Sequence, residues 1–119
     1  MLKDVCVNLE EHDFELVNQG KKTVIISPYF DYYSNIQIND ILSVIFDNLV
    51  IKIVILAIRE YDNLNSALLK EEHSLITDKS EYELYYSCSK VSAGTGVINP
   101  PILAVEFRKK GDWKLYFNN

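Results

Sequence analysis

The sequence predicts one α+β domain: a small closed or half-open β-barrel of about five to six mainly antiparallel strands, with two to three short helices. Three observations point there. The chain has 119 residues, enough for one core and too few for two. Of these, 48% are hydrophobic and 24% charged, and the apolar set is mainly Ile, Leu, Val and Tyr, a bias toward strands. The apolar runs are short and divided by turn residues, in the order helix, strand, hairpin, two short helices, terminal hairpin. That order suits a barrel better than a βαβ sheet.

The first helix is expected from Leu9 to Gln19, with Leu9, Phe14, Leu16 and Val17 as a rough apolar stripe. Glu10, Glu11, Asp13 and Glu15 load its early turns with negative charge, which suits a helix N-terminus, and Gly20 ends it. A strand follows over Thr23–Ser27, stopped by Pro28. Tyr29 to Asn35 reads as an aromatic loop, in which Tyr29, Phe30, Tyr32 and Tyr33 either cover an open barrel end or stack bases. The strongest feature is the pair Ile41–Phe46 and Leu49–Glu60 around Asp47-Asn48, residue types that tolerate positive φ in a two-residue hairpin turn. The second strand is apolar on both faces for much of its length and is expected at the centre of the sheet.

Asn63 or Asn65 then caps a short helix over Ser66 to His73, and a second helix spans Glu81 to Ser87. Ser92 to Asn99 is a loop; its Ala93-Gly94-Thr95-Gly96 lacks the preceding strand and following helix of a phosphate loop. Ile102–Phe107 and Trp113–Phe117 close the chain as a hairpin around Lys110-Gly111-Asp112.

Charge narrows the function classes. Twelve Lys plus Arg against seventeen Asp plus Glu give a net charge of −5, a field that repels polyanions in bulk but leaves room for a local basic pocket. Arg108-Lys109-Lys110 beside Lys114 is the basic cluster outside the first strand; it reads as a phosphate-contacting patch or as a charged hairpin tip. Cys6 and Cys88 have no metal-like spacing and read as thiols of a reducing compartment, while His12 and His73 lack partners at ligand spacing. Neither a metal nor a cofactor is expected. Met1-Leu2-Lys3-Asp4 lacks a signal peptide's apolar core, and the run Leu49 to Ile58 is too short to cross a bilayer, so a cytoplasmic protein without membrane contact is expected.

The segment His12-Asp13-Phe14-Glu15-Leu16-Val17-Asn18-Gln19-Gly20-Lys21-Lys22-Thr23 resembles the signature of the ASCH domain family, a helix followed by Gly-Lys-Lys-Thr entering the first barrel strand. Ile36-Gln37-Ile38-Asn39-Asp40-Ile41-Leu42 is similar to that family's Gly-Asp turn, with Asn39 where Gly is usual. Asn is the next best residue for left-handed backbone. Ala57-Ile58-Arg59-Glu60-Tyr61 running on to Leu68-Leu69-Lys70-Glu71-Glu72, then Tyr85-Tyr86-Ser87, then Ile102-Leu103-Ala104-Val105-Glu106-Phe107 continue the match in order over about residues 12 to 108. The resemblance implies a PUA-like barrel that binds RNA or a nucleotide-like small molecule in a cleft beside the Gly-Lys-Lys-Thr strand.

Some members of that family are acylcytidine amidohydrolases using a Lys base, a Thr nucleophile three residues on, and a Glu near the helix after the long strand. Here Lys22 matches the Lys, but the nucleophile position is Ile25, and the usual Glu and Arg of the strand fall at Ile25 and Ser27. No catalytic residue is therefore assigned. Thr23 and Ser27 share a strand face with Ile25 but stand about 6–7 Å from it, too far to substitute without moving the whole reaction. The resemblance makes Lys21, Lys22, Thr23, Ser27, Glu72, Tyr85 and Tyr86 the expected ligand-binding set. Of Glu71 and Glu72, neighbours on a helix point about 100° apart and at most one can face the cleft; the competing reading makes both solvated charges. The leading expectation is a non-catalytic RNA- or nucleotide-binding module. The alternatives are a hydrolase with a rearranged site, or a degenerate domain whose apolar cleft serves a protein partner.

Overall fold

The computed structural model describes residues 2–28, 36–77 and 101–115. They form β1 (Leu2–Asn8), α1 (Glu11–Asn18), β2 (Val24–Pro28), β3 (Ile41–Phe46), β4 (Leu49–Tyr61), α2 (Leu64–Lys70), α3 (His73–Ile76), β5 (Ile102–Lys109) and β6 (Lys114–Leu115). The architecture is α+β: a curled mixed sheet, a half-barrel, in the order β1-β3-β4-β5-β2, with β6 also paired to β4. β4 is central, as its apolar length predicts. The predicted helix at Glu81–Ser87 and the loops at Tyr29–Asn35 and Ser92–Asn99 lie outside the described residues.

Two expectations are corrected. The N-terminal residues form β1, which the sequence reading left unassigned, and it pairs with β3 in parallel. Among the described residues the predicted terminal hairpin does not form. β5 and β6 both pair antiparallel with β4, so they run in the same direction along one edge of it. Lys110 N–H donates to Lys52 O at 2.8 Å, which holds the chain to β4 through what had looked like a turn. The helix expected over Ser66–His73 is in fact split, α2 ending at Lys70 and α3 starting at His73.

The inner face of the sheet packs against α1. Ile51, Ile53 and Ile55 of β4 alternate inward with Leu42 and Val44 of β3, Val105 and Phe107 of β5, and Ile25 of β2. Phe14 and Val17 of α1 close this core, Phe14 tilting against Phe46 with ring centroids 5.9 Å apart. Each such buried side chain is worth about 1.5–3 kcal/mol relative to exposure. Gly20 ends α1 at φ 76°, and the amides of Gly20 and Lys21 turn back onto the carbonyls of Val17 and Leu16.

Asn39 adopts φ 76°, the left-handed conformation anticipated for it. Its amide donates to Ile55 O at 2.8 Å, and the Ile55 amide donates to Asp40 O at 3.0 Å. Asp47 at φ 54° makes the β3–β4 turn. Next to Ile55, β4 carries a bulge: Ile55 faces Phe107, but Ala57 faces Glu106, so Leu56 is the extra residue, 42% exposed. That single insertion reverses the alternation. Before it, odd-numbered residues point inward; after it, Ile58 packs on the inner core while Arg59 and Tyr61 face out.

Candidate functional site

The outer face of the sheet beyond the bulge is covered by α2 and α3. Asn63 caps α2 by accepting from Ser66 N at 2.9 Å, and Leu64 and Ala67 pack onto Ile102 of β5. Ile76 of α3 packs on Val24 and Ala104. Between the two helices, Glu71 is the C-cap of α2 in an extended conformation, φ −88° and ψ 147°. The turn aims its carboxylate at the sheet, where only 5% of the side chain is exposed.

Arg59 meets that carboxylate with two bonds, Nε to Oε2 at 2.6 Å and Nη2 to Oε1 at 2.8 Å, the planar two-point match of guanidinium and carboxylate. Its Nη1 donates to Glu106 Oε1 of β5 at 3.0 Å, and the Tyr61 hydroxyl donates to Glu71 Oε2. One arginine thus links β4, β5 and the α2–α3 corner.

The hydrogen bonds from Arg59 hold the Glu71 carboxyl below its usual range, overcoming the opposing effect of burial. Burial, reinforced by Glu71, raises the Tyr61 phenol above its ordinary value. The Arg59 guanidinium is pushed further up, chiefly by its bond to Glu71. At neutral pH the cluster is therefore an ionised carboxylate, a neutral phenol and a fixed cation that tie the corner to the sheet. Beside Tyr61 opens a groove of about 550 Å³ lined by Glu60, Tyr61, Asp62, Pro101 and Ile102. Among the described residues its lining charges are two carboxylates, which disfavour phosphate there.

The expected site residues divide between the two faces. Ser27 pairs with Leu103 on the same side as Ile25, and Thr23 continues that register, its carbonyl accepting from Phe107 N at 2.9 Å. Lys22 is buried at 6% exposure, with its amine donating to Ile76 O at the end of α3. Lys21 is exposed. Glu72 is exposed at the N-cap of α3, where its Oε1 accepts from Ser74 Oγ at 3.3 Å; Glu71 is the enclosed carboxylate of the two. Nor is Glu71 the solvated charge of the competing reading. Tyr85 and Tyr86 lie outside the described residues.

Arg59 and Tyr61 were missed as site residues, although a conflict of alternation signalled them. Counting by twos from Ile51, Ile53 and Ile55 would bury an arginine in the core, which only a bulge avoids. Among the described residues, no three His, Cys, Asp or Glu side chains gather as metal ligands. No helix among them is long and apolar enough to cross a membrane.

No protein-family model matches the chain. No curated protein matches it significantly. Solved structures do share the fold. A crystal structure of hypothetical protein PH0355 aligns with a TM-score of 0.68 at 22% identity, covering 87% of this chain and 96% of that one. The solution structure of protein PF0455 from Pyrococcus furiosus aligns with a TM-score of 0.62 at 20% identity, covering 92% and 98%. At such identities the likeness is one of fold, a half-barrel that spans nearly the whole of each of these proteins.

Proposed function

We propose that this chain is a non-catalytic binding module of the ASCH, PUA-like kind that accommodates RNA or a nucleotide-like ligand. The ordered segment resemblance from residue 12 to about 108 supports the family, together with a half-barrel sheet and left-handed backbone at Asn39. The observation that carries the reading is the fate of the three positions where the resemblance would seat catalysis. Ile25 is a core residue at 7% exposure, the Lys22 amine is bonded to the Ile76 carbonyl, and Glu71 is held by Arg59 and Tyr61. A general base must be free to take a proton and a nucleophile must be able to attack. Here one position has no nucleophilic atom and the two charged groups serve packing. In this reading exposed Lys21 supplies the cation at the cleft mouth, and Lys22 holds its wall.

The test is direct. Labelled single-stranded RNA followed by anisotropy, and nucleosides followed by NMR shift changes, are titrated at low salt. Weak to moderate binding that falls as salt rises is expected for RNA. Absence of binding to both ligands would sink the proposal. Cytidine release from an acylcytidine, abolished when Thr23 and Ser27 are both replaced by Ala, would instead establish the hydrolase.

A further inference from the structure

At the end of β4 away from Arg59, the sheet carries a groove of the opposite charge. Lys109 faces Ile53, the Lys110 amide still bonds to Lys52 O, and Lys114 faces Val50, so residues 111–113 span only Ile51 and bow away from the sheet. The bow encloses a groove of about 290 Å³ lined by Val50, Lys52, Lys110, Gly111, Asp112 and Lys114. Its one carboxylate among the described residues is already matched, because Lys109 Nζ lies 3.1 Å from Asp112 Oδ1 while also donating to Asn18 O at 2.6 Å. Lys52 donates one of its three N–H groups to Ser43 Oγ at 2.6 Å, which sets the direction of its amine and leaves two donors. Lys110 and Lys114 are exposed and have no carboxylate partner among the described residues. In a chain of net charge −5, three lysines around one concavity without a carboxylate partner among the described residues are a local reversal of field. Trp113, the sole tryptophan, sits within the same bow and is 48% exposed.

We infer that this groove is a phosphate site for the backbone of a single-stranded nucleic acid, with Lys52, Lys110 and Lys114 neutralising phosphate and Trp113 offering a face on which a base stacks. The nucleic-acid class rests on the function proposed above; the groove itself is argued from its own lining, at the end of β4 opposite Tyr61. The arrangement is the one single-strand binders use, cations that follow the backbone beside an aromatic platform. An ammonium ion is a point charge without a fork, so the groove reads phosphate charge and not base sequence.

The experiment uses the full chain and two simultaneous readouts. Anisotropy of a labelled ten-nucleotide single-stranded RNA reports binding anywhere on the protein, and quenching of Trp113 reports binding at the groove. A mononucleotide and an unphosphorylated nucleoside are the comparison ligands. Three phosphate contacts predict a salt slope of about −2 for the oligonucleotide, roughly a tenfold to twentyfold loss when salt rises fourfold. The double substitution Lys110→Glu/Lys114→Glu is at exposed positions away from the core and is expected to abolish quenching and cut oligonucleotide affinity at least tenfold. Binding with unchanged affinity and salt slope in that variant overturns the groove while leaving the general proposal standing. Nucleoside binding without oligonucleotide binding also overturns the groove. Failure of every ligand overturns both, and the lysines then serve only to protect the sheet edge at β6 from pairing with other chains.

Discussion

Replacing Arg59 with Met tests whether the clamp at the α2–α3 corner is structural. Methionine keeps the apolar stem of the arginine but removes all three of its charged hydrogen bonds, two to Glu71 and one to Glu106. The Glu71 carboxylate then stays enclosed with the Tyr61 hydroxyl as its remaining partner in the cluster. Removing one partner of a fully buried pair costs about 3–5 kcal/mol, and the 35% exposure of Arg59 lets water replace part of it, leaving about 2–3 kcal/mol. At about 4 °C per kcal/mol for a domain of this size, the melting temperature should fall by about 8–12 °C.

The pH dependence has a definite sign. Glu71 has a depressed folded pKa, so its contribution to wild-type stability is present above the unfolded value of 4.5 and is lost as pH falls through the lower folded value. Without Arg59, burial outweighs the remaining hydrogen bond from Tyr61 and raises that pKa, so the variant gains relative stability on acidification. Thermal melts by circular dichroism from neutral to mildly acidic pH should show the gap between the two proteins narrowing. A loss of less than about 3 °C, or a gap that ignores pH, would refute the reasoning. Adding Glu71→Leu to the same variant should recover much of the loss, because it removes the stranded charge.

Three further outcomes follow. Tyr61→Phe should cost about 1.5 kcal/mol by urea titration, since it removes a hydrogen bond to a charged group. The phenol's folded pKa is raised above its ordinary 10.0, so its stabilising effect is present below that value and lost as pH rises through the raised one; the alkaline difference absorbance between wild type and variant should show no step at 10.0. Asn39→Ala should cost about 1 kcal/mol and Asn39→Gly only a few tenths, because φ 76° penalises a Cβ without a local polar group. Ile25→Thr should cost about 2 kcal/mol by placing a hydroxyl in the core and should release no cytidine from an acylcytidine, as judged by chromatography; turnover would overturn the assignment of residue 25 to packing.

Much of the scaffold was legible because it depends on local rules. The β3–β4 hairpin, Gly20 as the helix stop and Asn63 as a cap each rest on a few neighbouring residues whose backbone preferences are strong. β1 was not legible: Leu2–Asn8 mixes apolar with charged residues and gains its partner from β3, more than thirty residues on. The terminal strands failed for a related reason. Lys110-Gly111-Asp112 has the composition of a turn, and composition cannot distinguish a chain that reverses from one that bows out and resumes in the same direction. That distinction lies in the pairing of both strands with β4.

The candidate site was lost through alternation and one helix end. Reading Glu71 and Glu72 as neighbours on a continuing helix makes them interchangeable at 100° apart. Because α2 stops at Lys70, Glu71 instead takes extended backbone and turns inward, and Glu72 begins the next helix in solvent. The bulge at Leu56 acts in the same way on β4, sending Arg59 outward to meet that carboxylate. Neither irregularity forms the cluster alone. Without the bulge the guanidinium would enter the apolar core, and without the helix break the carboxylate would lack its approach to the sheet. The two departures from regular periodicity meet in one ion pair, and that coupling accounts for the charged residues at this corner.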